Sequence, residues 1–484
     1  MAMGASSSER RGSNYDAVVV GSGPNGLSAA IELARNRRSV LVVEASEEIG
    51  GGARTKELTL DGFRHDVCSA VHPLGASSPF FRSLPLEEYG LAWEHPSVLA
   101  AHPLPDGEAA ALFRDVSHTA ESLAIDGSVY QERVGELVAR WPGIARGVLG
   151  PGLHVPRRPH DLGRFGLIAG RSASWFAGRF EGVPAQALVA GMAAHANVPL
   201  DRAFTAGVSL MLMLAGHRVG WPFARGGSSS IVSALAAHLT AIGGEIETGR
   251  RVRTLADLPN VRAIVFATSA WTMAEVCGDA LPSRYLRSIA NFRPGPGVFK
   301  VDWALSEPIP WSAAVCAEAG TVHVGGSFEE IAASEAAVDR GTVSERPFVL
   351  VAQPTVVDPT RAPAGQHVAW AYCHVPNGSS ADMTARIENQ MERYAPGFRD
   401  AVVERHTMSP ADFERYNASY RGGDISAGAM FARQVLARPA WRIDPHRTPN
   451  RSIYLGSSST PPGPGVHGMC GYHAARSALR HALR

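Results

Sequence analysis

The stretch that most constrains this chain is 15–55, YDAVVVGSGPNGLSAAIELARNRRSVLVVEASEEIGGGART. It opens on Ala17-Val18-Val19-Val20, a β-branched run that reads as a strand buried on both faces. A G-x-G-x-x-G turn follows, Gly21-Ser22-Gly23-Pro24-Asn25-Gly26, and then Leu27, Ala30, Ile31 and Ala34 recur at helical spacing. A second strand, Val40 to Val43, ends on Glu44. In such a unit Gly21 makes the tight turn, Gly23 lets a pyrophosphate approach the backbone, and Gly26 lets the helix lie close to the strand. The helix start, with Pro24 in its first turn, offers free N–H groups and partial positive charge to phosphates. Glu44, 18 residues after Gly26, stands where a carboxylate accepts a ribose hydroxyl. The motif alone leaves the choice between the nicotinamide and flavin dinucleotides open.

The next turn narrows that choice. Gly50-Gly51-Gly52-Ala53-Arg54-Thr55, six residues past the acid, resembles the second dinucleotide signature of FAD enzymes in the flavin amine oxidase and phytoene desaturase superfamily. The far end of the chain carries a matching signal. A strand ending in Leu455-Gly456 runs into STPPGPG and then into Val466-His467-Gly468-Met469 at the start of a last helix. It resembles the C-terminal flavin motif of phytoene desaturases. There a helix N-terminus can face the flavin N1–C2=O edge, which becomes negative on reduction.

That family has a discontinuous nucleotide domain, and the chain shows the same breaks. Gly226-Gly227 before a periodic helix, then Gly243-Gly244-Glu245-Ile246, marks a return to it, with an expected strand holding Arg251-Val252-Arg253 on the adenine side. The resemblance implies an α/β fold: a Rossmann-like FAD-binding domain from 14–75, 221–292 and 440–484, after a flexible leader at 1–13. The remainder, 76–220 and 293–439, is expected to form an α+β substrate domain with a mixed sheet and a helical region. Expected helices are 129–138, 184–194, 204–216, 327–339 and 382–394. Expected strands are 298–305, 321–324, 348–353 and 367–374. Trp175, Phe176, Phe180, Met192, Met211 and Met213 line a substrate cavity or fill core.

Within 298–305, alternation puts Lys300, Asp302 and Ala304 on one face. Lysine occurs only at 56 and 300. Pro296-Gly297-Val298-Phe299-Lys300 resembles the amine oxidase strand whose lysine holds a water near flavin N5, which implies a catalytic role for Lys300. The resemblance also sends 67–75 beside the flavin ring, with His72 and, further on, Trp221 as pocket residues. The family's implied FAD contacts are Gly21, Gly23, Pro24, Gly26, Glu44, Gly51, Gly52, Arg54, Val252, Gly456, Val466, His467, Gly468 and Met469. The Gly51-Gly52-Ala53-Arg54 spacing is one residue longer than the Gly-Gly-Arg of amine oxidases, or realigned against it, so the spacing leaves open which glycine meets the phosphates and whether Arg54 does.

Composition sets the limits. With 484 residues, 45% hydrophobic and 19% charged, the chain is globular, with length for two or three domains. A net charge of +1 gives no basic field for nucleic acid or an anionic membrane. Five widely spaced cysteines, with no C-x-x-C, argue against a disulfide framework and fit a reducing cytoplasm. The most apolar run, FTAGVSLMLMLAG, is shorter than the roughly 18 residues of a spanning helix, so no stable membrane insertion is expected, though peripheral contact is compatible. No metal is expected. The resulting expectation is a cytoplasmic FAD oxidoreductase that removes a hydride from a mostly apolar organic small molecule, with oxygen or a quinone as acceptor. Alternatives are a flavin amine oxidase using oxygen, a redox-neutral flavin isomerase, and a scaffold that retains FAD without catalysis.

Overall fold

The computed structural model describes residues 15–105, 107–152 and 158–484; the leader at 1–13 lies outside them. Two sheets organise the chain. The first has five parallel strands in the order Ile453–Leu455, Ala263–Phe266, Ala17–Val20, Val40–Val43, Glu245–Glu247. Its central strands are uninterrupted apolar runs because both faces are covered. Ala17, Val19, Val40 and Val42 pack with the helices Pro24–Arg35, Ser229–Ala241 and Met469–His481. Val18, Val20, Leu41 and Val43 point to the other face, against Trp271, Tyr285 and Ile289. Parallel pairing requires crossovers, and here the crossovers are the helices and the inserted second region.

The second sheet has seven strands in the order Val402–Met408, Gly297–Leu305, His367–Val375, Val349–Ala352, Ala319–Val324, Val98–Pro103, Ala109–Leu112. It is mixed: Ala319–Val324 runs parallel to Val98–Pro103, and the other neighbours are antiparallel. One face, with Phe299, Val301, Trp303 and Val351, is closed by Ile387, Met391 and Tyr394 of the helix Thr384–Tyr394. The other, with Leu350, Trp370 and Tyr372, faces the helices Val183–Ala194 and Thr205–Val219. The run FTAGVSLMLMLAG lies in the latter and is core; among the described residues no helix is long and apolar enough to cross a membrane.

Three features differ from the sequence expectation. The segment Arg251-Val252-Arg253 is not a strand; the edge strand ends at Glu247, and the chain then turns back so that the Arg250 N–H donates to the Glu44 carbonyl at 2.8 Å. Phe80, Phe81, Leu84, Leu86 and Leu91, which sequence continuity grouped with the substrate region, pack into the parallel-sheet core beside Leu235 and Leu239. The strand Val402–Met408 was unforeseen. Its VVERHTM sequence does not alternate, because it forms a sheet edge where charged side chains deter further pairing.

Candidate active site

A cavity of about 1240 Å³ runs from the carboxyl ends of the parallel strands into the space between the second sheet and the helical region. Open α/β sheets place ligands at that end of the strands. Gly21 carries φ +101°, a turn that a side chain strains. A Cβ on Gly26 would sit 1.8 Å from the Gly21 carbonyl oxygen, so only hydrogen there lets the helix meet the strand. Gly23 is the N-cap of that helix; no side chain caps it, and no acid occupies the first turn. The N–H groups are left for a ligand, and Gly21, Gly23 and Pro24 all border the cavity.

The second glycine loop closes over the first. A Cβ on Gly51 would lie 3.1 Å from the Gly23 Cα, and one on Gly52 would lie 2.1 Å from the Tyr420 hydroxyl. Glu44 borders the cavity with its carboxylate fixed. Oε2 accepts from the Ser22 N–H (2.8 Å) and hydroxyl (2.7 Å), and Oε1 accepts from the Ser46 N–H (2.9 Å). A carboxylate has about four acceptor sites, which leaves about one for a ribose hydroxyl. Arg54 also borders the cavity. Its Nη2 lies 3.7 Å from Glu44, and its guanidinium donates to the carbonyls of Ile49 (3.0 Å) and Glu48 (2.6 Å), under the Tyr416 ring. Its hydrogen bonds shape the loop.

Val252 lies on the cavity wall and packs in one cluster with Val276. At the opposite turn Val466 and His467 reach the wall; Gly456, Gly468 and Met469 do not. Gly456 stands behind it, where a Cβ would fall 2.7 Å from Ala474 and push the last helix away. Gly468, with φ +69°, would drive a Cβ to 2.1 Å from the Ser28 hydroxyl. The Met469 N–H donates to His467 Nδ1 at 3.1 Å, and the Met469 side chain is core. These glycines act by letting helices approach, and the cradle as a whole suits an extended dinucleotide: two glycine turns, an uncapped helix start and a fixed carboxylate.

The far part of the cavity is a chamber. Phe165, Met211, Trp221, Leu350, Trp370 and Tyr372 supply most of its walls. Trp221 is held by its indole N–H on the Thr321 hydroxyl at 2.9 Å. His72 borders the chamber, and its Nε2 meets the Ser228 hydroxyl at 2.9 Å; burial lowers the ring to about 4. Of the other aromatic or sulfur-bearing residues singled out by sequence, Met211 is on the wall. Phe176, Phe180, Met192 and Met213 are core, and Trp175 packs against that core beneath Arg179.

Lys300 is not on the wall. The strand register puts it opposite Tyr372, and Asp302 opposite Trp370, so both lie on the chamber-facing side of the sheet as the alternation predicts. The ammonium turns along its own strand to pair with Asp302, under the Trp370 ring at 5.1 Å, and both residues are at most 1% exposed. Asp302 also neighbours His65 (3.5 Å) and His406 (3.6 Å). Burial, the largest effect, would raise the Asp302 carboxyl, but Lys300 together with His406 and His65 outweighs it and holds the group below its ordinary range.

Sequence reasoning missed Tyr416, Tyr420, Trp370, Tyr372, His195 and Asn197, all on the wall. Tyr416 and Tyr420 are four residues apart in ERYNASYRG, a spacing that also occurs in any helical loop. Nothing local ties them to Gly51, whose carbonyl accepts from the Tyr416 hydroxyl at 2.8 Å across 365 residues.

Comparison with known proteins agrees with this geometry. Residues 19–84 match the NAD(P)-binding Rossmann-like domain family. Mouse pyridine nucleotide-disulfide oxidoreductase domain-containing protein 2 is 25% identical, covering 96% of this chain and 93% of its own. Lycopene-forming phytoene desaturase of Pseudescherichia vulneris is also 25% identical, over 96% of this chain and 98% of its own. The structure of a putrescine oxidase bound to putrescine superposes with a TM-score of 0.62 at 17% identity, covering 96% and 98% of the two chains. All five cysteines here are free. The chain is an oxidoreductase, similar over nearly its whole length to a phytoene desaturase and sharing its fold with an amine oxidase.

Proposed function

We propose that the chain is an FAD-dependent oxidoreductase that removes a hydride from a C–H bond of a mostly apolar organic molecule. The observation that carries this reading is the continuity of one cavity from the glycine cradle into the aromatic and aliphatic chamber. A bound flavin would accept the hydride, and the protein supplies orientation and electrostatics. Gly21, Gly23 and the uncapped helix start would hold the pyrophosphate, and Glu44 the ribose. Val466 and His467 would border the ring, and Trp221 and Trp370 would confine the substrate and exclude water. The carboxylates on the cavity wall, among the described residues, are Glu44, Glu275 and Glu414. Glu275 precedes Val276, which packs in one cluster with Val252, and Glu414 is two residues from Tyr416, which bonds Gly51. Chamber walls without a carboxylate favour a neutral, apolar substrate over a cation.

The test is a visible spectrum of the purified protein, then anaerobic titration with a panel of polyenes, amines and alcohols. Bleaching of an oxidised flavin band by a polyene or alcohol is the expected result. Colourless protein that takes up no added FAD would end the proposal. An amine substrate is the second reading, favoured by the aromatic trio Trp370, Tyr372 and Tyr420 on the wall. Hydrogen peroxide released with an amine would select it. Glu44→Ala is expected to weaken FAD binding by about 1.5–3 kcal/mol, or roughly 10- to 100-fold, through loss of charged hydrogen bonds to Ser22 and the ribose. Flavin content of the purified variant measures this, and wild-type content would remove Glu44 from the ribose role.

A further inference from the structure

The wall of the chamber carries one base whose hydrogen bond leads into the protein. His195 caps the C-terminus of the helix Val183–Ala194 and is partly open to the cavity. Its Nε2 lies 3.0 Å from the Nε2 of His323, which is fully buried. Two bare nitrogen lone pairs at that distance repel, and two N–H groups clash, so one proton is shared and either ring can carry it. The His323 Nδ1 has no partner. One residue beyond the paired Val322 and Ala101, the register sets buried His102 beside His323. The His102 Nε2 donates to the Gly326 carbonyl at 2.6 Å, which leaves its Nδ1 bare and unpartnered. A Cβ on Gly326 would touch Glu330, whose carboxylate is 30% exposed and paired with Arg393. With neither the His323 Nδ1 nor the His102 Nδ1 in hydrogen-bonding reach of a partner, the imidazoles that share a proton are His195 and His323.

His72 and His467 also border the cavity, but each has its bonded nitrogen on a group at the start of a helix: the Ser228 hydroxyl and the Met469 N–H. Burial lowers His195, with the His374 charge as a smaller contribution, to about 4, and lowers His102 to about 4 and His323 well below its ordinary value. All three are neutral near pH 7 and able to accept. A proton arriving on His195 meets the negative end of its helix, which favours the cation.

We propose that His195 is the catalytic base of a desaturation, taking the proton that leaves the carbon next to the hydride donor and sharing it with His323. This rests on the dehydrogenase reading above. Two adjacent C–H bonds break. One hydrogen leaves with its electron pair as hydride to the cofactor. The other leaves as a proton to His195, and its bonding pair becomes the new C=C bond. The proton is held on the His195–His323 pair across the shared N–H···N bond and leaves His195 through the cavity it borders.

The experiment uses the full-length, FAD-loaded protein and the panel compound that bleaches the wild type. His195→Ala is expected to slow anaerobic bleaching by about 10²- to 10⁴-fold, with unchanged flavin content. Added imidazole should restore part of the rate in proportion to its concentration. His195→Gln keeps a hydrogen bond to His323 but holds no proton at neutral pH, so it should fold as wild type and be equally slow. A readout independent of turnover is diethyl pyrocarbonate labelling of the apoprotein: His195 should be carbethoxylated, with His323 and His102 protected. Wild-type bleaching in either variant, loss without imidazole rescue, or an unlabelled His195 would overturn the assignment while leaving the dehydrogenase reading intact. Failure of every panel compound to bleach the wild type would instead overturn that reading, and this assignment with it.

Discussion

Gly26→Val is expected to give a protein that binds no flavin and is destabilised by about 4 kcal/mol or more. A Cβ at 26 would meet the Gly21 carbonyl oxygen at 1.8 Å and the Ala267 Cβ at 3.1 Å. The first obstacle is main chain of the central strand's own turn and cannot rotate away. The helix Pro24–Arg35 would have to lift off the sheet, and it also carries the close contact with the last helix, where a Cβ on Gly471 would fall 1.7 Å from the Asn25 carbonyl oxygen. Gly23→Ala is the control. Its Cβ has ordinary contacts, 3.8 Å from the Gly51 Cα, and projects where a pyrophosphate would pass. That variant should unfold near the wild-type temperature and lose flavin affinity. Thermal unfolding of both, beside their flavin content, separates the roles; a wild-type Tm for Gly26→Val would refute the close-packing argument.

The second large effect is expected at Lys300. Lys300→Met should lower stability by about 3–5 kcal/mol, because it strands the Asp302 carboxylate in the interior. Adding Asp302→Asn should return much of the loss by removing the unpaired charge. Denaturant midpoints at constant slope would show both changes. The wild-type pair also sets an acid limit. A carboxyl lowered by folding stabilises the protein above its unfolded pKa of about 4, and that contribution disappears as pH falls through the lower folded value. Should Lys300→Met instead keep its stability and slow flavin reduction or reoxidation, the lysine acts on the cofactor, as its likeness to the amine oxidase strand implies.

The two glycine turns were legible in the sequence because their physics is local. A positive φ at Gly21 and a helix seated against its own strand at Gly26 are requirements on main chain within six residues, and only glycine meets them. The period-two reading of 298–305 was local in the same sense and put Lys300 and Asp302 on one face, as the register has them. It could not show that the ammonium would bend to its neighbour, since that depends on the desolvated space under Trp370. The expected strand at 251–253 failed for a related reason: pairing with Val40–Val43 ends at Glu247, where a loop anchored on Glu44 takes over.

The sequence by itself determined the glycine cradle and the parallel αβ core, because glycine spacing and buried β-branched runs encode backbone geometry directly. Only the tertiary structure decided which side chains meet over the chamber. The contacts of His195 with His323, Tyr416 with Gly51 and Asn197 with Ser426 join residues 128, 365 and 229 positions apart. Such contacts are fixed by how the second sheet seats on the helical region, and no periodicity in the chain records that.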